Sequence, residues 1–160
     1  MGLRAQWDAG RLPDVIGLLA RLTLGVVLVW AGAAKVTNPA LSQLAVRAYK
    51  LLNYDVAGYV GLALPILEIL VGLLLVVGLL TRWSALAGGL LMVAFIFGIS
   101  WAWAHGYSID CGCFGGGGTI AASQTQYPLE ILRDVGLVTC AIWLVVRPRT
   151  AYSLDHRLFG

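Results

Sequence analysis

The sequence predicts an all-α membrane protein: a bundle of four transmembrane helices in a single domain of 160 residues. Its composition is 59% hydrophobic and 12% charged, whereas soluble domains are about 45–50% apolar and about 25% charged. The mean hydropathy of +0.84 is too high for a chain that must cover a soluble core with polar residues. In addition, four stretches approach the roughly 20 apolar residues that are needed to cross a bilayer.

The four predicted spans differ in how strongly the sequence supports them. They cover residues 15–34, 56–80, 83–104 and 129–146. The third span contains no charged residue, whereas the fourth is the weakest, because Glu130, Arg133 and Asp134 crowd its start. Pairs of β-strands are a poor alternative, since the apolar runs are too long and lack a period of two. We therefore expect four helices.

The first span also has some features of a secretory signal peptide. The run Ala31-Gly32-Ala33 resembles the small-residue pattern of a cleavage site. Arg21 interrupts the apolar stretch, however, and the stretch is long for the apolar part of a signal. We expect this span to remain uncleaved, as the first helix of the bundle.

The charged residues exclude one class of partner and predict an orientation. The net charge is only +3 and the basic residues are scattered, so there is no electrostatic footprint for nucleic acid. With four spans, six basic residues fall on the side of the two termini and three fall in the first loop on the other side. This asymmetry predicts cytoplasmic termini and an extracytoplasmic loop 105–128. The two sets are Arg4, Arg11, Arg82, Arg147, Arg149 and Arg157, against Lys35, Arg47 and Lys50.

The first loop has the pattern of a short amphipathic helix. Asn38 followed by Pro39 is typical of a helix N-cap with proline at the first helical position. The residues that follow separate into an apolar and a polar face, which favours a helix lying in the membrane interface. It is either a simple connector or a lid over the end of the bundle. The apolar face holds Leu41, Leu44, Ala48, Leu51 and Leu52.

The last loop contains two cysteines, Cys111 and Cys113, separated by one glycine and followed by a glycine-rich run. A disulfide between residues two apart departs from relaxed geometry and is strained. Strained, exposed disulfides are easily reduced and belong to the labile or catalytic kind. The spacing therefore favours a disulfide that takes part in exchange over a structural disulfide that stabilises the fold.

Two other interpretations of these cysteines stay open. Both thiolates could bind a soft metal such as Cu(I), with His105 as a third ligand. Alternatively, the two cysteines form a plain structural bridge or remain idle thiols. Cys140 is a separate case, because a lone thiol in the middle of a predicted span is usually a small apolar packing residue.

Ionisable residues inside the predicted spans are expected to face the bundle interior and to be paired. Counting depth along each helix places Arg21 and Glu68 at similar levels, which predicts a pair between them. Such pairs either lock the helices in register or, together with Arg133 and Asp134, line a polar cavity beneath the cysteines. In the second case Arg133 or Lys35 would lower the pKa of a cysteine, and Asp134 or Glu68 would accept a proton.

The chain resembles the MauE family, the methylamine-utilisation membrane proteins, which form a branch of the DoxX-like group of four-helix membrane proteins. The run Cys111-Gly112-Cys113-Phe114-Gly115 is the most specific part of the resemblance. The similarity extends over about residues 13–147. Its other matching positions are Arg21 and Gly25, the run Ala31 to Lys35 with Pro39, and Pro65, Glu68, Gly72 and Gly78.

The resemblance implies a role in the plasma membrane of a bacterium, in extracytoplasmic disulfide handling. Members of the family are associated with thioredoxin-like proteins and with maturation of the disulfide-rich small subunit of methylamine dehydrogenase. We accordingly expect Cys111 and Cys113 to form a redox pair that works with a thioredoxin-like partner, as a component of a thiol–disulfide oxidoreductase system. A membrane quinone is one hypothesis for the electron acceptor. The alternatives are a non-enzymatic scaffold or chaperone that docks a redox protein, and copper handling at the cysteine loop.

Overall fold

The computed structural model describes residues 2–148, 150 and 152–158, and the side chains of residues 12–148, 150, 152–155 and 158. The predicted all-α fold with four long helices is confirmed. The elements are α1 (Gly2–Val36), α2 (Pro39–Ala48), α3 (Tyr54–Val77), α4 (Thr81–Ala104), β1 (Ile109–Asp110), β2 (Gly118–Thr119), a short 3-10 helix (Ala122–Gln124), α5 (Tyr127–Val146) and α6 (Leu154–Leu158).

Among the residues that the structure describes, three of the long helices are apolar enough to cross a membrane. They are Leu12–Val36, Tyr54–Val77 and Thr81–Ala104, with mean hydropathies of 2.0, 2.7 and 2.0. Helix α5 has the length of a span but carries three ionisable residues in its first two turns, which is why its sequence signal is the weakest. The protein is therefore a multi-pass membrane protein.

Two helix ends differ from the predicted spans, for physical reasons. Helix α1 begins at Gly2, well before residue 15, because a helical backbone continues through polar sequence that hydropathy does not detect. Helix α3 ends at Val77 and not at residue 80, because Gly78 adopts a left-handed conformation with φ of 76°. The amide of Gly78 donates to the carbonyls of Leu74 and Leu75, which caps the helix.

Helices α1 and α3 pack closely through glycines. A methyl group placed on Gly72 would lie 2.7 Å from the carbonyl oxygen of Gly25, and one placed on Gly32 would lie 2.7 Å from that of Pro65. Small residues at such contacts let two membrane helices approach each other at the backbone. The two contacts also show that the helices are antiparallel, with Gly32 near Pro65 and Gly25 near Gly72.

The bundle buries a compact apolar core and leaves large apolar side chains on its outside. The core contains Leu24 and Leu28 of α1, Leu75 of α3 and Leu144 of α5, all with 0% exposure. The outer surface shows more than half-exposed Trp30, Leu70, Leu90 and Ile142, one on each long helix. A surface of this kind suits contact with lipid rather than water.

Helix α2 lies at the end of the bundle that also holds the cysteine loop, which we call the loop end. The predicted N-cap is confirmed, because the Asn38 side chain accepts a hydrogen bond from the amide of Leu41 at 3.2 Å. The face of α2 that packs on the rest of the protein consists of small residues and not of leucines. Ser42 and Ala45 are buried there, and the Ser42 hydroxyl donates to the carbonyl of Gly61 on α3. Leu44 is 48% exposed, so the apolar face points outward.

The opposite end of the bundle, which we call the terminal end, is closed by the C-terminal segment. Arg21 is 2% exposed, and its guanidinium donates to the Thr150 hydroxyl at 3.0 Å and to the Tyr152 carbonyl at 3.4 Å. Asp155 accepts hydrogen bonds from the amides of Leu80 and Thr81, both at 2.8 Å, and so caps the start of α4. Of the basic residues used to predict orientation, Arg149 and the side chains of Arg4, Arg11 and Arg157 lie outside the described residues.

Candidate functional site

The cysteine loop is a small, ordered unit at the loop end. Its ends are joined as antiparallel strands, with Ile109 opposite Thr119 and Asp110 opposite Gly118. The Tyr127 hydroxyl, from the first turn of α5, accepts from the amide of Ile109 at 3.0 Å and donates to the carbonyl of Tyr107. These contacts fix the two cysteines between a strand pair and the start of α5.

Two glycines let the loop pack against α2. Gly112 has φ of 69°, and a methyl group at this position would lie 2.5 Å from the Cβ of Ala45. A methyl group on Gly117 would meet the same Cβ at 2.8 Å. Helix α2 therefore supports the cysteine loop from one side, a role that neither the connector nor the lid interpretation described.

Cys111 and Cys113 are both free thiols and both buried, with exposures of 9% and 4%. The amide of Cys113 donates to the Cys111 sulfur at 3.3 Å, and the Cys113 thiol donates weakly to the Cys111 carbonyl at 3.9 Å. The Tyr49 hydroxyl, just beyond α2, donates to the carbonyl of Cys111 at 2.9 Å. The pair is thus held by its own backbone and by a tyrosine from the first loop.

The surroundings of the two thiols differ in their effect on protonation. The pKa of Cys113 is lowered, because the adjacent Cys111 thiol and the positive charges of Arg133 and Lys35 together outweigh the effect of its burial. The pKa of Cys111 is raised, because the neighbouring Cys113 sulfur and the burial of Cys111 both disfavour its thiolate. Cys113 is therefore the sulfur that more readily carries negative charge.

The two cysteines line different cavities. Cys111 lines a pocket of about 420 Å³ that opens to the outside, together with Asp110, Glu130 and Arg133. Cys113 lines a much smaller cavity of about 10 Å³ inside the bundle, comparable with the room that one water molecule needs. The ionisable residues around that inner cavity are Glu68, Arg133 and Asp134, so these side chains lie together beneath Cys113.

Two ion pairs surround the inner cavity. The Lys35 ammonium lies 2.6 Å from Glu68 Oε1. The Arg133 guanidinium donates from two nitrogens to Asp134 Oδ1, at 2.9 and 2.8 Å, and also contacts the Cys113 thiol. One oxygen of each carboxylate, Glu68 Oε2 and Asp134 Oδ2, is buried with no hydrogen-bond partner among the described residues. The cavity therefore has free acceptor capacity directly below Cys113.

The predicted pair between Arg21 and Glu68 is wrong. Glu68 pairs with Lys35, and Arg21 lies at the terminal end beside Gly78. The depth count assumed that α1 and α3 end at the same level. The close contact of Gly32 with Pro65 instead shows that α3 extends past the end of α1, by about seven residues or ~10 Å at 1.5 Å per residue.

The residues proposed for a metal site do not come together. His105 caps α4, its ring stacks on Trp101 at 4.0 Å between centroids, and its Nδ1 lies 2.9 Å from the Trp101 carbonyl. Across the part of the chain that the structure describes, no group of three or more His, Cys, Asp or Glu side chains is arranged to hold a metal ion. Cys140 is partly buried and packs against the apolar core cluster.

Two residues of this site have no individual signal in the sequence. From the sequence, Glu130 is predicted only to be a charged residue at the membrane interface. In the structure its carboxyl lies against the Cys111 thiol. Tyr49 directly follows α2 and is 9% exposed, and nothing in its local sequence separates it from other interfacial aromatic residues. Both reach the cysteines only through the packing of α2 and α5 around the loop.

The fold and the loop define a class of protein: a four-helix membrane protein that carries a buried pair of cysteines at one end of its bundle. Comparison with family models identifies it further. The model for the methylamine utilisation protein MauE matches residues 13–147, which is most of the chain. The protein therefore belongs to the MauE family, and this membership indicates a role in methylamine utilisation. Comparison with curated proteins and with solved structures found no match.

Proposed function

We propose that this protein is a membrane component of extracytoplasmic thiol–disulfide exchange, with Cys111 and Cys113 as its redox pair. The observation that supports this most directly is the adjacency of two free thiols, with the Cys113 amide donating to the Cys111 sulfur at 3.3 Å and Arg133 lining the same cavity as Cys113. A cation close to a cysteine favours the thiolate, which is the reactive form. A purely structural bridge requires no such charge.

The proposal includes the orientation and the partner. The loop end faces the outside of a bacterial plasma membrane, where disulfides persist, and both termini are cytoplasmic. The partner is an exported thioredoxin-like protein, which in turn acts on a disulfide-containing client. Forming the Cys111–Cys113 disulfide releases two electrons and two protons, and a quinone of the bilayer is the class of acceptor we propose. The inner cavity of about 10 Å³ is too small for a quinone ring, so the quinone would act from the lipid side.

The test is the redox state of the two cysteines in isolated membranes. Free thiols are alkylated with a membrane-impermeant reagent and counted by mass over a series of glutathione redox poises, in a Cys140→Ser background. We expect a reversible two-electron transition well above about −300 mV, the upper range of structural disulfides. The double variant Cys111→Ser/Cys113→Ser is the control, and it should lose the transition.

Each alternative has its own outcome in this experiment. Cysteines that stay oxidised at every poise indicate a structural bridge. Thiols that stay reduced at every poise, in a protein that still binds its partner, indicate a docking scaffold. Thiols that are labelled only after a chelator is added indicate metal binding. Any of these three results would overturn the proposal.

A further inference from the structure

The two cysteines of the loop are not equivalent in their surroundings. Cys111 lines the pocket that opens outward as well as an inner cavity of about 30 Å³ beside Lys35, whereas Cys113 lines the cavity of about 10 Å³ inside the bundle. If the pair is redox-active, as proposed above, this difference assigns each sulfur a separate role. We propose that Cys111 is the sulfur that a partner thiolate attacks and that Cys113 is the sulfur that leaves.

The exchange then proceeds in two balanced steps from the oxidised form. A partner thiolate attacks the Cys111 sulfur, the Cys111–Cys113 bond breaks, and Cys113 leaves with the electron pair as a thiolate. The second thiolate of the partner then attacks the partner's own bonded sulfur. This forms the partner's disulfide, and Cys111 leaves with the electron pair and takes up a proton. Two electrons have passed from the partner dithiol to this protein.

The charges around each sulfur fit these roles. Arg133 contacts Cys113, and Lys35 lies near enough to contribute to the same positive field. A thiol with a lower pKa leaves faster in disulfide exchange. The carboxyl of Glu130 lies against Cys111 instead. It is suited to supplying the proton that Cys111 needs when it leaves in the second step.

The open pocket is the route by which the partner reaches Cys111. Its volume of about 420 Å³ matches a few residues of an extended segment rather than a whole domain. Its wall contains the apolar side chains Phe114 and Leu129, and the polar Gln126 and Glu130. In the proposed exchange, the partner residues that flank the attacking cysteine pack against this lining.

The experiment uses the oxidised full-length protein in membranes and reduced glutathione as the attacking thiol. The reaction is stopped early by alkylation, and the peptide containing both cysteines is analysed by mass spectrometry. We expect glutathione on Cys111 and the alkyl group on Cys113. Glutathione on Cys113, or in equal amounts on both sulfurs, would overturn the assignment while leaving a redox role intact. If no mixed disulfide forms and no two-electron transition is seen, the proposed function itself fails.

A second measurement tests whether Arg133 positions the leaving Cys113 thiolate and stabilises its negative charge. The variant Arg133→Gln should slow glutathione attack about three- to tenfold, since it removes the cation that favours the Cys113 thiolate. It should also raise the pH at which Cys113 becomes reactive to alkylation. Arg133→Lys should restore much of both properties, because it keeps the charge.

Arg47→Gln is the matched control. Arg47 also lies at the loop end, but its guanidinium packs over the ring of Tyr54 and donates to the Tyr54 carbonyl. The variant Arg47→Gln should leave unchanged both the rate of glutathione attack and the pH dependence of Cys113 alkylation. Equal slowing in Arg47→Gln and Arg133→Gln, or no rescue by Arg133→Lys, would rule out a specific role for Arg133.

Discussion

The Lys35 ammonium and Glu68 Oε1 lie 2.6 Å apart, and the two side chains are only 4% and 0% exposed. The pair joins the last turn of α1 to the middle of α3, beside the inner cavity below Cys113. The Lys35 ammonium also lies 4.9 Å above the ring of Phe95, which belongs to α4. One buried cation therefore connects three of the four long helices.

Removing one member of this pair should strongly destabilise the protein. Glu68→Gln or Lys35→Met leaves the other group buried without its partner, which costs about 3–5 kcal/mol. The double variant Lys35→Met/Glu68→Leu should recover most of that loss, because no uncompensated charge remains. The measurement is thermal unfolding in detergent, with the exposed Lys50→Met as control. Single variants as stable as Lys50→Met would contradict the prediction.

The cap that Asp155 forms on α4 should make stability depend on pH. Burial alone would raise the pKa of Asp155, but hydrogen bonds from Thr81 and Leu80 outweigh it and lower the pKa. A carboxylate with a lowered folded-state pKa adds stability above its unfolded pKa of about 3.9, and this is lost as the pH falls through the folded pKa. Asp155→Asn should cost on the order of 1 kcal/mol at neutral pH.

Asp155→Asn should also reduce the fall in the free energy of unfolding at acidic pH. The measurement is unfolding at a series of pH values between 7 and 3. Asp55→Asn, in the first turn of α3, is the comparison. If both variants reduce stability equally at neutral pH, the loss comes from charge and not from the cap on α4.

Gly112 should tolerate no side chain, for two separable reasons. Gly112 and Gly106 both have φ of 69°, but a methyl group on Gly112 would also collide with Ala45, whereas one on Gly106 would meet nothing within 4 Å. Gly106→Ala therefore measures the backbone cost alone, about 1–2 kcal/mol. Gly112→Ala should cost more and should expose Cys111 to alkylation. The rate of thiol labelling checks this, and equal rates in the two variants would disprove the role of Ala45.

The contact between α1 and α3 should be sensitive to a single methyl group. Gly72→Ala places its Cβ within 3 Å of Gly25 and Val29, and such overpacking costs about 1–3 kcal/mol. Gly136→Ala is the matched control on α5, where nothing lies within 4 Å, and alanine there should be neutral or slightly stabilising. Unfolding in detergent distinguishes the two, and a stable Gly72→Ala would mean that the helices are not held at backbone contact.

For the ionisable residues, the sequence predicts burial but not the pairing of one group with another. Because a charge in lipid is costly, the sequence predicts that Glu68, Arg133 and Asp134 face the interior of the bundle. Which group pairs with which does not follow, because it depends on how far one helix is shifted along its neighbour. The shift of α3 relative to α1 brings Glu68 to Lys35 and leaves Arg21 at the terminal end. No pattern within either helix encodes that offset.

The sequence by itself determined the membrane class, the four long helices, the Asn38 cap and the presence of a closely spaced cysteine pair. Each of these depends on local apolar length, on a local hydrogen bond or on residue spacing. Only the tertiary structure decided what surrounds each sulfur: Tyr49 at the Cys111 carbonyl, Glu130 against the Cys111 thiol and Arg133 against Cys113. Tyr49 lies far from Glu130 and Arg133 in the chain, and the three come together because α2 and the start of α5 both pack against one short loop.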